Sequence, residues 1–181
     1  MNTTHSDLIG SVKAKIVAAI KGTGNVAQAT MDTVTHVLAT TIKDAGEMGM
    51  SVPDVIANVA SGAIRGTSQV GGDFGQAAKG ITLGVLRGSK DAAAAVLDTI
   101  GHTAHIIVRE TADIGGDVKA ASVGLVAGAI EGATEFGVSA EKAAAAAADG
   151  ALKAAGEVGS TVVEAVRKAV TKPVNELKVV A

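Results

Sequence analysis

A tandem repeat of 22 residues constrains the fold of this chain more than any other feature. The phrase GAIRGTSQVG at 62–71 returns as GAIEGATEFG at 128–137, a separation of 66 residues, which is three times 22. When the sequence is divided every 22 residues, related phrases begin at 18, 40, 62, 84, 106, 128 and 150. About 154 residues therefore form one array of seven frames, which is typical of proteins that stack one structural unit on the next.

Each 22-residue frame has the pattern of an amphipathic helix. Counted from residue 18, its third place is aliphatic in seven frames, its fourth is basic in six, and its eighth is acidic in five. Glu131 is the exception at the fourth place. Because residues four apart meet on a helix surface, we expect the basic and acidic places of one frame to pair. The apolar residues also recur every eleven residues. Three helical turns of about 3.67 residues each make up this period, so the apolar residues stay nearly in line along one side of the helix.

These patterns predict an all-α, elongated helical-repeat protein of seven 22-residue repeats, with long helices in a hairpin or an open bundle. We expect a lead-in helix over residues 1–17, the repeat array over 18–171 and a frayed tail over 172–181, because Pro173 should end the last helix. A bent rod, a hairpin and a short solenoid all remain open. A continuous helix and a chain of capped helices would leave the same pattern.

Glycine rows predict close contact between helices. An interior glycine costs about 1 kcal/mol relative to alanine in a helix, so a chain with 23 glycines needs a compensating contact. Glycines four apart form a smooth groove into which another helix backbone can press. We predict this packing or self-association, within the chain or between copies, at Gly62, Gly66, Gly80, Gly84, Gly88, Gly124, Gly128 and Gly132.

Other glycines predict helix breaks. Near residues 49–53, Gly49 is placed to end one helix, Ser51 to cap the next, and Pro53 to lie in its first turn. The sequence GGD gives the same signal at 71–73 and 115–117, through Gly71, Gly72, Gly115 and Gly116, and weaker signals lie at 137–139 and 159–161. The longest segment without such a signal, 73–114, predicts one helix of 42 residues.

Composition and charge exclude several classes of function. A net charge of −2 leaves no concentrated basic surface for nucleic acid. The chain has no cysteine, which rules out disulfides and thiolate metal sites and fits a reducing compartment. The N-terminus lacks the pattern of a secretory signal. The longest uncharged run, 120–130, is well short of the ~20 residues of a transmembrane helix, so we expect a cytoplasmic protein, free or peripheral to a membrane or granule.

Residues that could carry chemistry are few. Asp98, His102 and His105 share one helix face and form a weak candidate for a divalent metal site. A structural explanation is favoured, because chance histidine pairs are common and no convergent ligand is identifiable. The GGD turns are better explained as helix caps than as anion sites. Nothing resembles a nucleophile elbow, a catalytic cysteine–histidine set or a dinucleotide fingerprint, so we expect neither catalysis nor a cofactor.

The eleven- and 22-residue periods resemble those of the perilipins, the exchangeable apolipoproteins and the late-embryogenesis-abundant proteins. Phrases such as VAAIKGTGNVAQATMDTV are similar to perilipin repeats, in which valine, glycine, threonine and lysine recur every eleven residues. The resemblance spans nearly the whole array. It implies an amphipathic helix that reversibly coats a lipid or granule surface.

Two functional hypotheses follow from the sequence. The first is a non-enzymatic structural scaffold that self-associates into a homo-oligomer through its Ala, Gly and Val faces. The second is a peripheral protein that becomes helical on a lipid, membrane or storage-granule surface. We favour the first, because Ala and Gly gain more from close helix packing than from shallow insertion into lipid.

Overall fold

A computed structural model describes residues 2–90 and 95–180 of the chain, and in these ranges it contains helices and turns. Met1, Ala181 and the acidic eighth place at Asp91 lie outside the described residues. The helices are α1 (Asn2–Thr23), α2 (Val26–Asp44), α3 (Val52–Gln69), α4 (Phe74–Gly88), α5 (Val96–Asp113), α6 (Val118–Glu135), α7 (Ala140–Val158) and α8 (Ser160–Val180). The all-α helical-repeat fold is therefore confirmed.

Each 22-residue frame corresponds to one helix and one turn. Gly49, Gly71, Gly115 and Gly137 have φ angles of 67°, 63°, 68° and 67° and stand at multiples of 22 residues from one another. A left-handed φ is strained for a residue with a Cβ, which explains glycine at this recurring place. The chain is thus a series of capped helices of 15 to 22 residues, shorter than the long helices that the sequence suggested.

Helices two apart in the sequence pack side by side and run parallel. Gly62 and Gly66 of α3 lie against Val12 and Ile16 of α1 respectively, so residue numbers rise together along the two helices. The same order holds for α4 on α2 and for α6 on α4. Because short turns reverse the chain between successive helices, α1, α3, α5 and α7 form one layer and α2, α4, α6 and α8 form the other. This arrangement is a short solenoid.

The core between the two layers is built from small and medium aliphatic side chains. Its largest fully buried members include Ile16, Leu38, Ile64, Ile107 and Leu125. In α7 the seven buried residues are all alanines. Because these side chains are short, neighbouring helices can pack closely, and the chain has only two Phe and neither Trp nor Tyr to fill a wider space.

The predicted 42-residue helix over 73–114 is wrong. Helix α4 ends at Gly88, Ser89 caps it through a backbone bond to Val85, and α5 begins at Val96. The first described residue after the gap, Ala95, is extended with φ −146° and makes no side-chain capping bond. This N-cap has no Ser, Thr, Asn or Asp, so local capping rules do not reveal it.

The predicted ends of the array also need correction. Helix α1 runs through the boundary at residue 17 and ends at Thr23, where Gly24 has φ 70° and Asn25 caps α2 through Gln28. At the other end α8 continues past Pro173 to Val180 instead of fraying from residue 172. An interior proline removes one backbone hydrogen bond and crowds the carbonyl of the preceding turn, and the packing of α8 on α6 and α7 offsets this cost.

Candidate functional site

The predicted packing glycines lie at contacts between helices of this chain. A Cβ on Gly62 would approach the Ile9 carbonyl oxygen to 2.7 Å and Val12 Cβ to 2.8 Å, and one on Gly66 would lie 2.9 Å from Ile16 Cβ. Real Cβ atoms do not approach other heavy atoms so closely, so glycine sets the spacing of α3 on α1.

The other predicted glycines repeat this contact along the solenoid. Gly80, Gly84 and Gly88 on α4 face α2, whereas Gly124, Gly128 and Gly132 on α6 face α4. A Cβ on Gly84 would lie 2.8 Å from both the Met31 carbonyl oxygen and Val34 Cβ. All eight predicted positions are therefore covered by a neighbouring helix of the same chain. They leave no groove open for a second copy.

Helix α1 carries the corresponding face, and none of the other helices in residues 2–90 and 95–180 packs on it. Three places of the repeat hold the packing glycines of α4 and α6. In α1, 66 and 110 residues earlier respectively, the same three places hold Ala14, Ala18 and Gly22. All three residues are exposed, as is Gly10 one turn earlier. Apart from the nearby backbone of α1 itself, no heavy atom among the described residues lies within 4 Å of where a Cβ on Gly10 or Gly22 would stand. We call Gly10, Ala14, Ala18 and Gly22 the α1 face. The sequence analysis missed it, although the repeat frame contains the signal.

Opposite charges flank the α1 face at its two ends. Asp7 precedes Gly10 by about one turn, and Lys21 lies beside Gly22. The two residues are 14 apart, or about four turns, so they project from nearly the same side of the helix. Both are exposed, and none of the ion pairs described in the structure includes either of them. The face thus has one acidic and one basic end.

The predicted break residues lie in the turns between the helices. Ser51 and Asp54 form a capping box, in which each side chain accepts a hydrogen bond from the other residue's backbone N–H. The Ser51 hydroxyl also donates a hydrogen bond to the Asp54 carboxylate. This bond, followed by the one from the Ser51 backbone N–H, lowers the pKa of the Asp54 carboxyl, because both favour its charged form. Pro53 stands in the first turn of α3. Gly71 and Gly115 adopt the left-handed conformation, and Gly72 and Gly116 follow them into the next helix cap.

The weak metal candidates line a groove between α5 and α7. Asp98, His102 and His105 border it from α5, and Asp149, Lys153 and Glu157 border it from α7, around a volume of about 670 Å³. His102 Nε2 lies 3.3 Å from the Pro53 carbonyl oxygen on α3. His105 Nε2 lies 3.1 Å from each Glu157 carboxylate oxygen on α7. The described residues contain no His, Asp or Glu cluster suited to a metal ion, and the two imidazoles bridge different helix pairs instead.

Ion pairs connect parallel neighbouring helices rather than successive turns of one helix. Arg87 Nε lies 3.0 Å from Glu135 Oε2, and Arg109 Nη1 lies 3.3 Å from Glu157 Oε2. In both pairs the glutamate follows the arginine by 48 residues. The arginine holds the fourth place of one frame, and the glutamate holds the eighth place of the second frame after it. Among the described residues of the array, no basic place pairs with the acid four residues later in its own frame. At Arg87 and Arg109 the parallel neighbour presents a carboxylate instead. The one described pair four residues apart, Lys172–Glu176, lies in α8 beyond the array.

These contacts shift the pKa values of both carboxyls. A hydrogen bond from Arg87 lowers the pKa of Glu135, and its charge adds to the effect. The pKa of Glu157 is lowered chiefly by the hydrogen bond with His105. Both residues therefore stay charged further into the acidic range than an unperturbed glutamate.

The class that the fold defines is an all-α helical-repeat protein. The chain resembles a solved structure described as a de novo designed helical repeat protein, DHR7, with a TM-score of 0.57 and 17% sequence identity. The alignment covers 92% of this chain and 94% of that chain. At this identity the similarity shows the fold alone. No family model and no curated protein matches the sequence. In the described part of the chain, no helix has the length and apolar character needed to span a membrane.

Proposed function

We propose that the protein is a non-enzymatic structural scaffold that pairs with a second copy of itself through the α1 face. The observation that carries the proposal is the exposure of Ala14, Ala18 and Gly22 at the places of the repeat that accept a neighbouring helix elsewhere. Inside the chain α3, α4 and α6 each place such residues against a helix. The same small-residue surface on α1 suits a helix from another molecule.

The charges at the two ends of the α1 face favour an antiparallel pair of α1 helices over a parallel pair. If the two-fold axis passes beside Ala14, Asp7 of one copy faces Lys21 of the partner subunit, and the opposite pair forms by symmetry. A parallel pair would place like charges together at both ends. Such a pairing closes on itself and gives a dimer, because the same patch is used on both copies.

The other exposed ends of the solenoid favour a closed dimer over a filament. Beyond α2, the places that carry glycine in α4 hold His36, Thr40 and Asp44, which are exposed and polar. The exposed residues of α7 include Glu141 and Lys142. Polar outer faces of this kind cap a repeat array and oppose further stacking.

Ultracentrifugation over a range of protein concentrations tests the dimer. One helix pair buries less than a standard interface, so we expect a dissociation constant in the micromolar range, about 1–100 µM. Ala14→Arg should weaken association at least about tenfold, because it places two cations together at the two-fold axis. The matched control is Ala145→Arg, an exposed alanine of α7, which should leave association unchanged.

A charge exchange makes the test specific for orientation. Asp7→Lys should weaken the dimer, because it places a second lysine opposite Lys21 of the partner subunit. Adding Lys21→Asp should restore the dimer, because residues 7 and 21 again carry opposite charges. A monomer at all concentrations, or equal effects of Ala14→Arg and Ala145→Arg, would contradict the proposal. Circular dichroism of each variant confirms that the helices are retained.

The alternative, a coat on a lipid, membrane or granule surface, requires the repeat to expose its apolar stripe. Val123 and Val158 are the exposed large hydrophobic residues among those described. A surface coat would therefore need the layers to open. A large gain in helicity when vesicles are added would favour the coat, and high helicity in buffer with no gain would favour the scaffold. The scaffold would act in the cytoplasm, with neither a cofactor nor nucleic acid as a partner.

A further inference from the structure

The contact between α3 and α5 differs from the other contacts in its layer. At the places where α4 and α6 carry three glycines, α5 carries His102, Ile106 and Glu110. Helix α3 packs far less extensively on α5 than on α1, and α5 packs far more extensively on α7. We call this contact, formed by Pro53 and Arg65 of α3 with the three α5 residues, the α3–α5 seam.

The residues of the α3–α5 seam explain its looser packing. Ile106 is 8% exposed, and its branched side chain stands where a glycine would let the backbones meet. The spacing of two helices follows the size of the side chains between them, so α5 lies further from α3 than a glycine row would permit. Polar contacts replace backbone packing. Arg65 donates to both Glu110 oxygens, at 3.0 and 3.4 Å, and His102 meets the Pro53 carbonyl oxygen.

The opposite layer has a tight contact at the same step. Helix α6 presses Gly124, Gly128 and Gly132 against α4, with Lys79 and Arg87 of α4 paired to acids of α6. One side of the solenoid is therefore held by close backbone packing, and the other by Ile106, one histidine hydrogen bond and a partly exposed ion pair. The weaker side can part while the stronger side acts as a pivot.

We propose that the α3–α5 seam is a built-in opening point of the solenoid. Opening separates α3 from α5, breaks the Arg65–Glu110 pair and exposes Ile106, while the α4–α6 contact persists. This conformational device is independent of the dimer proposed above, because α1 is not part of the seam.

Cysteine labelling measures the opening directly, since the chain contains no native cysteine. Ile106→Cys should react with a thiol reagent in native buffer at least about tenfold faster than Ile20→Cys, because sub-global opening exposes the seam alone. Ile20 is the matched control, since it is also an isoleucine that is 8% exposed, and it lies on α1. Global unfolding exposes every buried cysteine, so its rate is the lower limit of the labelling rate. That rate is measured for each variant in denaturant and extrapolated to native buffer. If the Ile106→Cys variant reacts no faster than the Ile20→Cys variant, or only at the rate of global unfolding, the seam does not open.

A second pair of variants tests the ion pair that closes the seam. Added to Ile106→Cys, Glu110→Gln should speed labelling about twofold to fivefold, as expected for loss of a partly exposed pair. Glu135→Gln, added to the same Ile106→Cys background, removes the ion pair that Arg87, at the same place of the repeat as Arg65, makes across the α4–α6 contact. It should leave the labelling rate unchanged. Equal effects of the two substitutions would show general destabilisation and would overturn the proposal.

Discussion

At the scale of single residues, the glycines that recur four residues apart on α3, α4 and α6 determine how closely two helices approach. Glycine rows in the sequence were sufficient to predict which residues pack, because a residue without a side chain is costly in a helix unless a neighbour uses the space. The sequence did not show which helix each row faces. Nor did it show that Gly156 is open to solvent, since glycine has no side chain to mark a buried or an exposed face.

Substitution of a covered and an open glycine should have opposite effects. Gly124→Ala places a Cβ against the backbone of Gly75, so we expect a loss of about 2–4 kcal/mol in the free energy of unfolding. Gly156→Ala meets nothing within 4 Å and should gain up to about 1 kcal/mol from helix propensity. Urea denaturation measures both. If Gly156→Ala also lowers the free energy of unfolding, the argument from helix propensity at that position is wrong.

At the scale of helices, the sequence predicts boundaries where side chains cap them. The capping box at Ser51 and the glycines of the GGD turns are local signals, so breaks near 49–53, 71–73 and 115–117 could be predicted. The break between α4 and α5 could not. Lys90 and the alanine-rich residues after it favour a helix, and Ala95 offers no side-chain acceptor at the N-cap of α5.

The missing cap of α5 predicts a stabilising substitution. Ala95 has the extended backbone of an N-cap, with φ −146° and ψ 121°, and is exposed. Ala95→Ser supplies an oxygen for the free N–H groups of the first turn, so we expect a gain of about 0.5–1 kcal/mol in the free energy of unfolding. The control is Ala145→Ser within α7, which should lose a few tenths, about 0.5 kcal/mol, through lower helix propensity. Urea midpoints that fall for both variants would contradict the capping argument.

At the scale of the whole molecule, sequence patterns left the rod, the hairpin and the solenoid open. The choice depends on contacts between residues about 50 apart, such as Gly84 with Val34 and Arg87 with Glu135. A sequence pattern that repeats every 22 residues does not indicate which repeats pack against each other. The basic and acidic places were visible in the sequence, but their pairing between frames follows from parallel packing of alternate helices.

These pairs between helices predict how stability depends on pH. The pKa of Glu135 is lowered in the folded protein, so its contribution is present above the ordinary glutamate pKa and is lost as the pH falls through the depressed value. We expect Glu135→Gln to cost about 0.2–1 kcal/mol at pH 7 and almost nothing at about pH 2, since the pair is partly exposed. Urea denaturation at both pH values measures the difference. A cost that is independent of pH would indicate lost packing instead of lost charge. Lys168→Gln, an exposed residue of α8, is the control.

The repeated phrase of ten residues forms the end of α3 in one copy and the end of α6 in the other, each with the turn that follows, and these helices belong to opposite layers. The two layers are therefore related by an approximate screw operation that carries each helix onto the next one along the chain. A gene segment encoding a single helix and its turn is then the smallest unit of growth. Duplicating it would lengthen the molecule by one step without requiring a second kind of module, because the new helix would pack on its neighbours through the same places of the repeat.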